Sequence, residues 1–245
     1  MLAHSLAVID AFGTDRIEDE QIEASPAVFA VLGQARRERD RAIVRLLGGP
    51  PPPECDFRTA DEVTINAIRR ERAILLSARP IDLGAYERAS LDKQCVGVMA
   101  SLGLAWVAGW DERKRLAVRE TLEDVWLGLQ MGDDVVDWED DLQRGGAWAV
   151  CLMRGMKPAA VPRTGGESIR SQVLSSGVLG VMLNRAGLHM GNARRRAEAL
   201  GAHRLGMWAA AQETRLTGLA DAEVRSAGYA VRAHALAAWA AEVFS

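Results

Sequence analysis

Apolar residues recur every three or four positions along most of this chain, and charged residues fill the positions between them. That spacing gathers the apolar side chains on one face of an α-helix. We find no convincing run in which apolar and polar residues alternate as they do in a half-buried strand. The pattern therefore predicts an all-α fold, with helices near 1–21, 23–47, 59–77, 83–108, 111–144, 167–190, 192–215 and 221–243.

Proline and serine mark two boundaries in this pattern. Ser25 followed by Pro26 predicts the capped start of the second helix, with proline in its first turn. The run G-G-P-P-P-P-E at 48–54 ends that helix, because no helix crosses four prolines. One stiff connection does not divide a chain, and no internal repeat is present, so we expect a single domain over 1–245 with about eight or nine helices.

Composition and charge narrow the class of protein. The 245 residues are 49% apolar and 26% charged, as in ordinary globular proteins, and the net charge of −3 argues against nucleic acid as the main partner. Three cysteines without C-x-x-C spacing predict a reducing compartment. The first residues lack the features of a signal peptide, and no 18-residue apolar run follows. We therefore expect a cytoplasmic protein with no stable membrane insertion.

The most informative stretch is 127–146, which reads L-G-L-Q-M-G-D-D-V-V-D-W-E-D-D-L-Q-R-G-G and holds six carboxylates within nine positions. On a helix, Asp133, Asp137 and Asp141 form a column at i, i+4 and i+8, while Val135, Trp138 and Leu142 lie roughly opposite. Like charges at this spacing repel by a few tenths of a kcal/mol per pair. A Mg²⁺ ion would neutralise them, and because Mg²⁺ in proteins also takes phosphate oxygens, the column predicts a phosphate or diphosphate ligand.

An acidic helix face that simply meets solvent is the alternative interpretation of this column. The same arc continues toward the N-terminus through Gln130, Trp126 and Leu122, so the acids give way to a polar and then an apolar stripe. A tryptophan in line with the acids is typical of a cavity wall rather than of a solvated face. Trp126 lies 20° from Asp133 on the helical wheel and seven residues earlier, which predicts a position about 10 Å deeper on the same face.

Three other segments carry candidate chemistry, each with an ordinary alternative. Asp15 and Asp19 share one side of the first helix, where they also suit an acidic helix end. Lys93 precedes a helix rich in small residues, where it either contacts a ligand or simply extends to solvent. The irregular segment 147–165 contains the basic residues Lys157 and Arg163, and suits either a flap or a surface loop.

The acidic stretch resembles two motifs of class I isoprenoid synthases. L-Q-M-G-D-D-V-V-D is similar to the second aspartate-rich motif of polyprenyl diphosphate synthases, in which glutamine stands three residues before D-D-x-x-D. D-W-E-D-D-L-Q-R-G at 137–145 resembles the acidic and Arg-Gly pattern of squalene and phytoene synthases. Lys93 stands where those enzymes place a diphosphate-contacting lysine, and D-R-I-E-D at 15–19 resembles a degenerate first aspartate-rich motif.

The resemblance implies a helical bundle around a central cavity and a Mg²⁺-dependent enzyme that ionises a prenyl diphosphate to an allylic cation, as a prenyltransferase or a terpene cyclase. It implies metal ligation by Asp133, Asp137 and Asp141, with support from Asp134 and Asp140, and by Asp15 and Asp19 across the cavity. Lys93, Arg144 and Arg163 would contact the diphosphate, Gln130 would orient it, and Trp126 would line the hydrocarbon cavity.

Two departures from the family pattern keep an alternative open. Arg16 stands where the family has a second aspartate, and only 14 residues precede Asp15, where the family has several helices. Either the sequence is truncated at its N-terminus, or a partner supplies the missing wall. The alternative is a non-catalytic homologue that pairs with an active synthase, as a heteromer; a homodimer would also suit the family. A third interpretation is a helical scaffold with an acidic patch. The sequence leaves open the chain length of the substrate and the choice among elongation, cyclisation and head-to-head condensation.

Overall fold

The computed structural model describes residues 2–18, 21–156 and 168–243, with side chains described as far as residue 226. Its described residues form helices and connections and contain no strand, which confirms the predicted all-α class. Eleven α-helices are present in these ranges: α1 Leu2–Glu18, α2 Pro26–Leu47, α3 Phe57–Ser77, α4 Leu83–Lys93, α5 Cys95–Val107, α6 Glu112–Val136, α7 Trp138–Arg144, α8 Trp148–Gly155, α9 Ile169–Ser176, α10 Val178–Ala199 and α11 His203–Val243. A short 3₁₀ turn, Pro53–Cys55, follows the proline run.

Capping residues mark both ends of α2 and the start of α3. The Ser25 hydroxyl accepts a hydrogen bond from the backbone N–H of Val28 at 3.3 Å, and Pro26 begins α2, as predicted. Gly48 ends α2 in the left-handed conformation, with φ of 70°. Asp56 caps α3 in the same way that Ser25 caps α2, by accepting from the N–H of Arg58.

The helix count differs from the predicted eight or nine because two long helices contain breaks, and because Trp148–Gly155 forms the helix α8 within the segment 147–165, which is predicted to be irregular. The predicted helix 83–108 is interrupted at Gln94, and the predicted helix 111–144 is interrupted at Asp137. Both residues have φ near −100° and ψ near 0°, so the chain bends but keeps its direction. A break of one residue hardly disturbs apolar periodicity, which explains why the pattern joins these helices.

Two groups of buried side chains hold the helices together. In the first, the core side of α6 and α7 packs with α8, α10 and α11, and Trp138, Met131 and Trp148 are buried there. Val135 and Leu142 pack against the same group, which confirms the predicted apolar face opposite the acidic column. In the second group, α1, α2, α3 and α5 pack around residues such as Ile43, Phe57 and Met99. None of the described helices is a candidate membrane span.

The end of α7 approaches α3 closely at Gly146. This glycine has φ of +146°, and a Cβ atom built on it would lie 2.4 Å from the carbonyl oxygen of Leu75. Its N–H donates to the carbonyl of Asp141 at 3.0 Å, which closes the last turn of α7. The missing side chain therefore lets α3 and α7 meet, and this junction forms one end of the cleft described below.

We predict that Gly146→Ala lowers the free energy of unfolding by about 2–4 kcal/mol, because it combines backbone strain with a clash against immobile backbone atoms. For a domain of this size, the melting temperature should fall by roughly 5–10 °C. Gly49→Ala is the matched control, since its Cβ position has no neighbour within 4 Å and its φ is not positive. Equal melting temperatures for the two variants would contradict the close approach.

Candidate functional site: an acidic cleft between α1, α3 and α6

The predicted acidic column survives the break between α6 and α7. The N–H of Asp137 donates to the carbonyl of Asp133, and the N–H of Asp141 donates to the carbonyl of Asp137, each at 3.0 Å. The hydrogen-bond ladder therefore continues through the bend and keeps the three carboxylates on one side. All three line one cleft, with a volume of about 430 Å³.

The opposite wall of this cleft comes from α1 and α3. The cleft brings together most of the residues that the sequence singled out, from segments more than a hundred positions apart. Its other lining residues are Phe12, Asp15, Arg16, Gln21, Glu71, Arg72, Leu75, Lys93, Gln130, Asp134, Arg144, Gly146 and Trp148. Cations and carboxylates therefore face one another across the cleft, and the apolar part of its lining is small.

The carboxylates of the column differ in their surroundings. Asp133 is exposed, whereas Asp137 is half-buried, and its Oδ1 atom is buried without a hydrogen-bond partner among the described residues. Burial raises the pKa of Asp137 above its ordinary value, and the negative charge of Asp133 raises it further. Asp141 pairs with Arg144 at 3.5 Å. Asp137 is consequently the carboxylate of the column with a buried oxygen that no described residue satisfies, although the charge of Arg144 lowers its pKa in part.

Asp140 and Asp134, which the resemblance assigns supporting roles in metal ligation, differ in position: Asp134 lines the cleft and Asp140 does not. The Asp140 side chain is 66% exposed, lies 3.9 Å from Arg144 and is not part of the cleft lining. Asp134 is buried, and its two oxygens accept hydrogen bonds from the hydroxyl of Tyr86 and from Nε2 of Gln130. The helix register explains both outcomes, since Asp134 turns toward the core and Asp140 turns toward solvent.

The environment of Asp134 favours its neutral form. Burial raises the pKa of Asp134 to about 8, although the hydrogen bonds from Tyr86 and Gln130 lower it in part. Gln130 also accepts a hydrogen bond from Nε2 of Gln94 at 3.1 Å. The amide of Gln130 is therefore held between Gln94 and Asp134, which fixes the face that it presents to the cleft.

Lys93 lies between two carboxylates on the far wall. Its Nζ is 3.0 Å from Oδ1 of Asp15 and 2.9 Å from Oε2 of Glu71. The second oxygen of Glu71 accepts a hydrogen bond from Nε1 of Trp148 at 2.9 Å. Lys93 does line the cleft, as predicted for a residue that contacts a ligand, but its ammonium already has two partners.

Sequence reasoning missed Glu71, Tyr86 and Trp148. A signal for Glu71 exists, because it stands seven residues after the buried Thr64 and so continues the apolar stripe of α3. A charged residue on a core-facing stripe needs a buried partner. Tyr86 and Trp148 pack edge to face, with ring centroids 5.2 Å apart, and no local pattern indicates that contact.

The structure places Trp126 outside the acidic cleft, contrary to the predicted cavity wall. Its indole ring packs against Gly97 of α5, about 3.0 Å from the position of a Cβ atom there. Trp126 lines a separate cavity of about 330 Å³ together with Leu91, Val98 and Gln94. Gln130 is the residue nearest to Trp126 in sequence among the α6 residues that line the acidic cleft. Two other predicted residues, Asp19 and Arg163, lie outside the described residues.

Whether Mg²⁺ fits this cleft depends on how many protein ligands it needs. Within the described ranges, no three His, Cys, Asp or Glu side chains are grouped closely enough to hold a metal ion by themselves. Mg²⁺ commonly binds through one or two carboxylates and completes its shell with water and phosphate. The unpartnered oxygen of Asp137 and the exposed carboxylate of Asp133 meet that smaller requirement.

Comparison with protein-family models, with curated proteins and with solved structures found no match to this chain. The resemblance to class I isoprenoid synthases therefore rests on the motif residues named above.

The raised pKa of Asp134 generates a prediction for stability. The pKa of this side chain is about 8 in the folded protein and near 4 when unfolded, so unfolding releases its proton between these values and stability falls as the pH rises through that window. Asp134→Asn resembles the protonated carboxyl and removes this dependence. The difference in melting temperature, Asp134→Asn minus the unmodified protein, should increase from pH 5 to pH 8 and then level off. A difference that stays constant over this range would contradict a protonated Asp134.

Proposed function

We propose that the cleft binds a diphosphate group together with Mg²⁺, and that the protein is a class I isoprenoid enzyme that ionises a prenyl diphosphate. One observation carries the proposal: Asp15, in the first acidic segment, lines the same cleft as Asp133, Asp137 and Asp141 of the second. Both acidic segments thus border one cleft beside the guanidinium groups of Arg16, Arg72 and Arg144, which suits a ligand that carries both a cation and phosphate groups.

Distinct parts of the cleft serve the metal and the anion in this proposal. Asp133 and Asp137 hold the metal, and Asp141 contributes if its pairing with Arg144 opens. Arg144, Arg72 and Arg16 line the cleft and supply guanidinium groups suited to phosphate oxygens. When bound, Mg²⁺ neutralises charge on the leaving diphosphate. Gln130, held by Gln94 and Asp134, orients the group nearest to the metal.

The apolar part of the ligand would meet Phe12, Leu75 and Trp148, which are the large apolar residues in the described lining of the cleft. Trp148 takes the role that the sequence assigned to Trp126. Its ring is fixed by the edge-to-face contact with Tyr86 and by the hydrogen bond to Glu71. An aromatic face near an allylic cation contributes about 1–2 kcal/mol when water is excluded.

A non-catalytic partner subunit is the second candidate, and two observations favour it. Arg16 lines the cleft where the family pattern has an aspartate. The ammonium of Lys93 is held by Asp15 and Glu71. Both features reduce the capacity for metal binding of the cleft wall that contains Asp15, Glu71 and Lys93, which we call the α1 wall. This subunit would bind diphosphate without turning it over and would act in a heteromer with an active synthase.

We predict that Mg²⁺ and pyrophosphate together raise the melting temperature more than the sum of their separate effects, because each supplies the counter-charge that the other needs. Asp137→Asn should abolish this extra shift and leave the melting temperature of the ligand-free protein equal or higher, since it removes a half-buried charge that lacks a partner. Thermal melts of both proteins with each ligand alone and with both measure this.

Asp140→Asn is the matched control for Asp137→Asn. It removes the same charge three residues away, from a side chain that does not line the cleft, and should keep the extra shift. Additive shifts in the unmodified protein, or loss of the extra shift in both variants, would argue against a metal-diphosphate site in the cleft.

Turnover separates the two candidates. Incubation with Mg²⁺ and a series of prenyl diphosphates, with released pyrophosphate as the readout, should show turnover if the protein is an enzyme. Trp148→Leu should then reduce the rate at least tenfold, because it removes ~1–2 kcal/mol of cation–π stabilisation together with the hydrogen bond to Glu71 and the contact with Tyr86. Metal-dependent pyrophosphate binding without turnover would select the partner subunit. Absence of binding would select the helical scaffold.

A further inference from the structure

The ion cluster on the α1 wall joins three helices through one ammonium group. Asp15 belongs to α1, Glu71 to α3 and Lys93 to the last turn of α4. The side chains are 23%, 14% and 18% exposed, so water screens this cluster only in part. Trp148 holds the second oxygen of Glu71, which leaves the other oxygen directed at Lys93.

This geometry puts the lysine nitrogen where a cation shared by two carboxylates would lie. One oxygen of Asp15 and one of Glu71 each lie about 3 Å from the nitrogen. Burial alone lowers the pKa of Lys93, but the charges of Glu71 and Asp15 outweigh that effect and raise it above its ordinary value. The charged form of Lys93 is therefore favoured between these two carboxylates.

We propose that the ammonium of Lys93 permanently occupies the cation position of the α1 wall, and we call it the resident cation. Asp15 then does not bind a metal ion, and metal binds only at the opposite wall, formed by Asp133, Asp137 and Asp141, which we call the α6 wall. This inference rests on the proposed metal-diphosphate site and assigns that metal to one side of it. It also gives Lys93 and Glu71 roles that the motif resemblance does not, since the lysine neutralises protein carboxylates and Glu71 positions it.

The contrast with the α6 wall supports this assignment. Asp137 has a buried oxygen without a partner among the described residues, and the nearest cation on its helix, Arg144, pairs with Asp141. A divalent cation therefore gains more at Asp137 than at Asp15, where it would have to displace an ammonium from two short contacts. The two acidic walls therefore differ in how much counter-charge the protein itself supplies to their carboxylates.

The first test counts bound metal ions. Mn²⁺ is titrated in the presence of pyrophosphate, and free Mn²⁺ is measured by electron paramagnetic resonance. Asp15→Asn should bind the same number of ions as the unmodified protein, whereas Asp137→Asn should bind fewer. Loss of a metal ion in Asp15→Asn would overturn the proposal, because Asp15 would then be a ligand.

The second test needs neither pyrophosphate nor activity. Lys93→Met keeps a long side chain but leaves Asp15 and Glu71 without their cation, so it should bind about one additional Mn²⁺ per chain. Mn²⁺ should also raise its melting temperature more than that of the unmodified protein. Equal Mn²⁺ binding by the two proteins would overturn the proposal. If Lys93→Met fails to fold, the count for Asp15→Asn decides.

Arg194→Met is the matched control for Lys93→Met. Arg194 also bridges two carboxylates, Glu213 at 3.1 Å and Glu198 at 3.4 Å, and none of these three residues lines the cleft. It should gain no Mn²⁺, because those carboxylates are more exposed. If both variants gained the same amount of Mn²⁺, the gain would follow from loss of positive charge anywhere on the protein, and this result would also overturn the proposal.

The two proposals fail separately. Additive effects of Mg²⁺ and pyrophosphate on the unmodified protein would argue against the proposed function, yet a gain of Mn²⁺ by Lys93→Met would still identify Lys93 as the resident cation. Conversely, a metal ion lost in Asp15→Asn would leave the metal-diphosphate site in place and move one metal to the α1 wall.

Discussion

Crowded carboxylates in a partly buried cleft are the constraint on which the rest of this structure depends. Removing a charge from water without a partner is costly, and like charges at i, i+4 add repulsion. The protein meets this constraint differently at each position. Asp134 favours its protonated form, Asp15 and Glu71 share the ammonium of Lys93, and Asp141 pairs with Arg144. Asp137 retains an oxygen with no partner among the described residues.

The helix breaks and the glycine junction lie at or next to residues that line this cleft. Lys93 is the last residue of α4, and the interruption at Gln94 lets Gln94 reach Gln130 while α5 continues beneath. The bend at Asp137 comes in the middle of the acidic column, where the backbone ladder still joins Asp133 to Asp137 and Asp137 to Asp141. Gly146 lets the end of α7 approach the α3 backbone at Leu75, and Glu71, one turn earlier on α3, contacts Lys93 and Trp148.

Local periodicity predicts the parts of this arrangement that lie on one helix. It correctly placed Asp133, Asp137 and Asp141 on one side, and Trp138 with its apolar neighbours on the other. It failed for Trp126 because a helical wheel gives the direction of a side chain but not what covers it. Here Gly97 allows α5 to close over the indole. Glu71, Tyr86 and Trp148 come from three further helices, so only tertiary contacts bring them to the cleft.

The two acidic segments therefore carry similar charge but differ in what can bind them. The α1 wall is already neutralised from within the protein, by a lysine that a partly buried glutamate holds in place, and it also carries Arg16. The α6 wall has an exposed carboxylate beside a buried oxygen that lacks a partner. A cation entering the cleft would be drawn to the second wall, and an anion carrying that cation would meet the guanidinium groups around it. Motif similarity treats the two segments as equivalent halves of one site, whereas the distribution of counter-charges makes one of them structural and leaves the other open to a ligand.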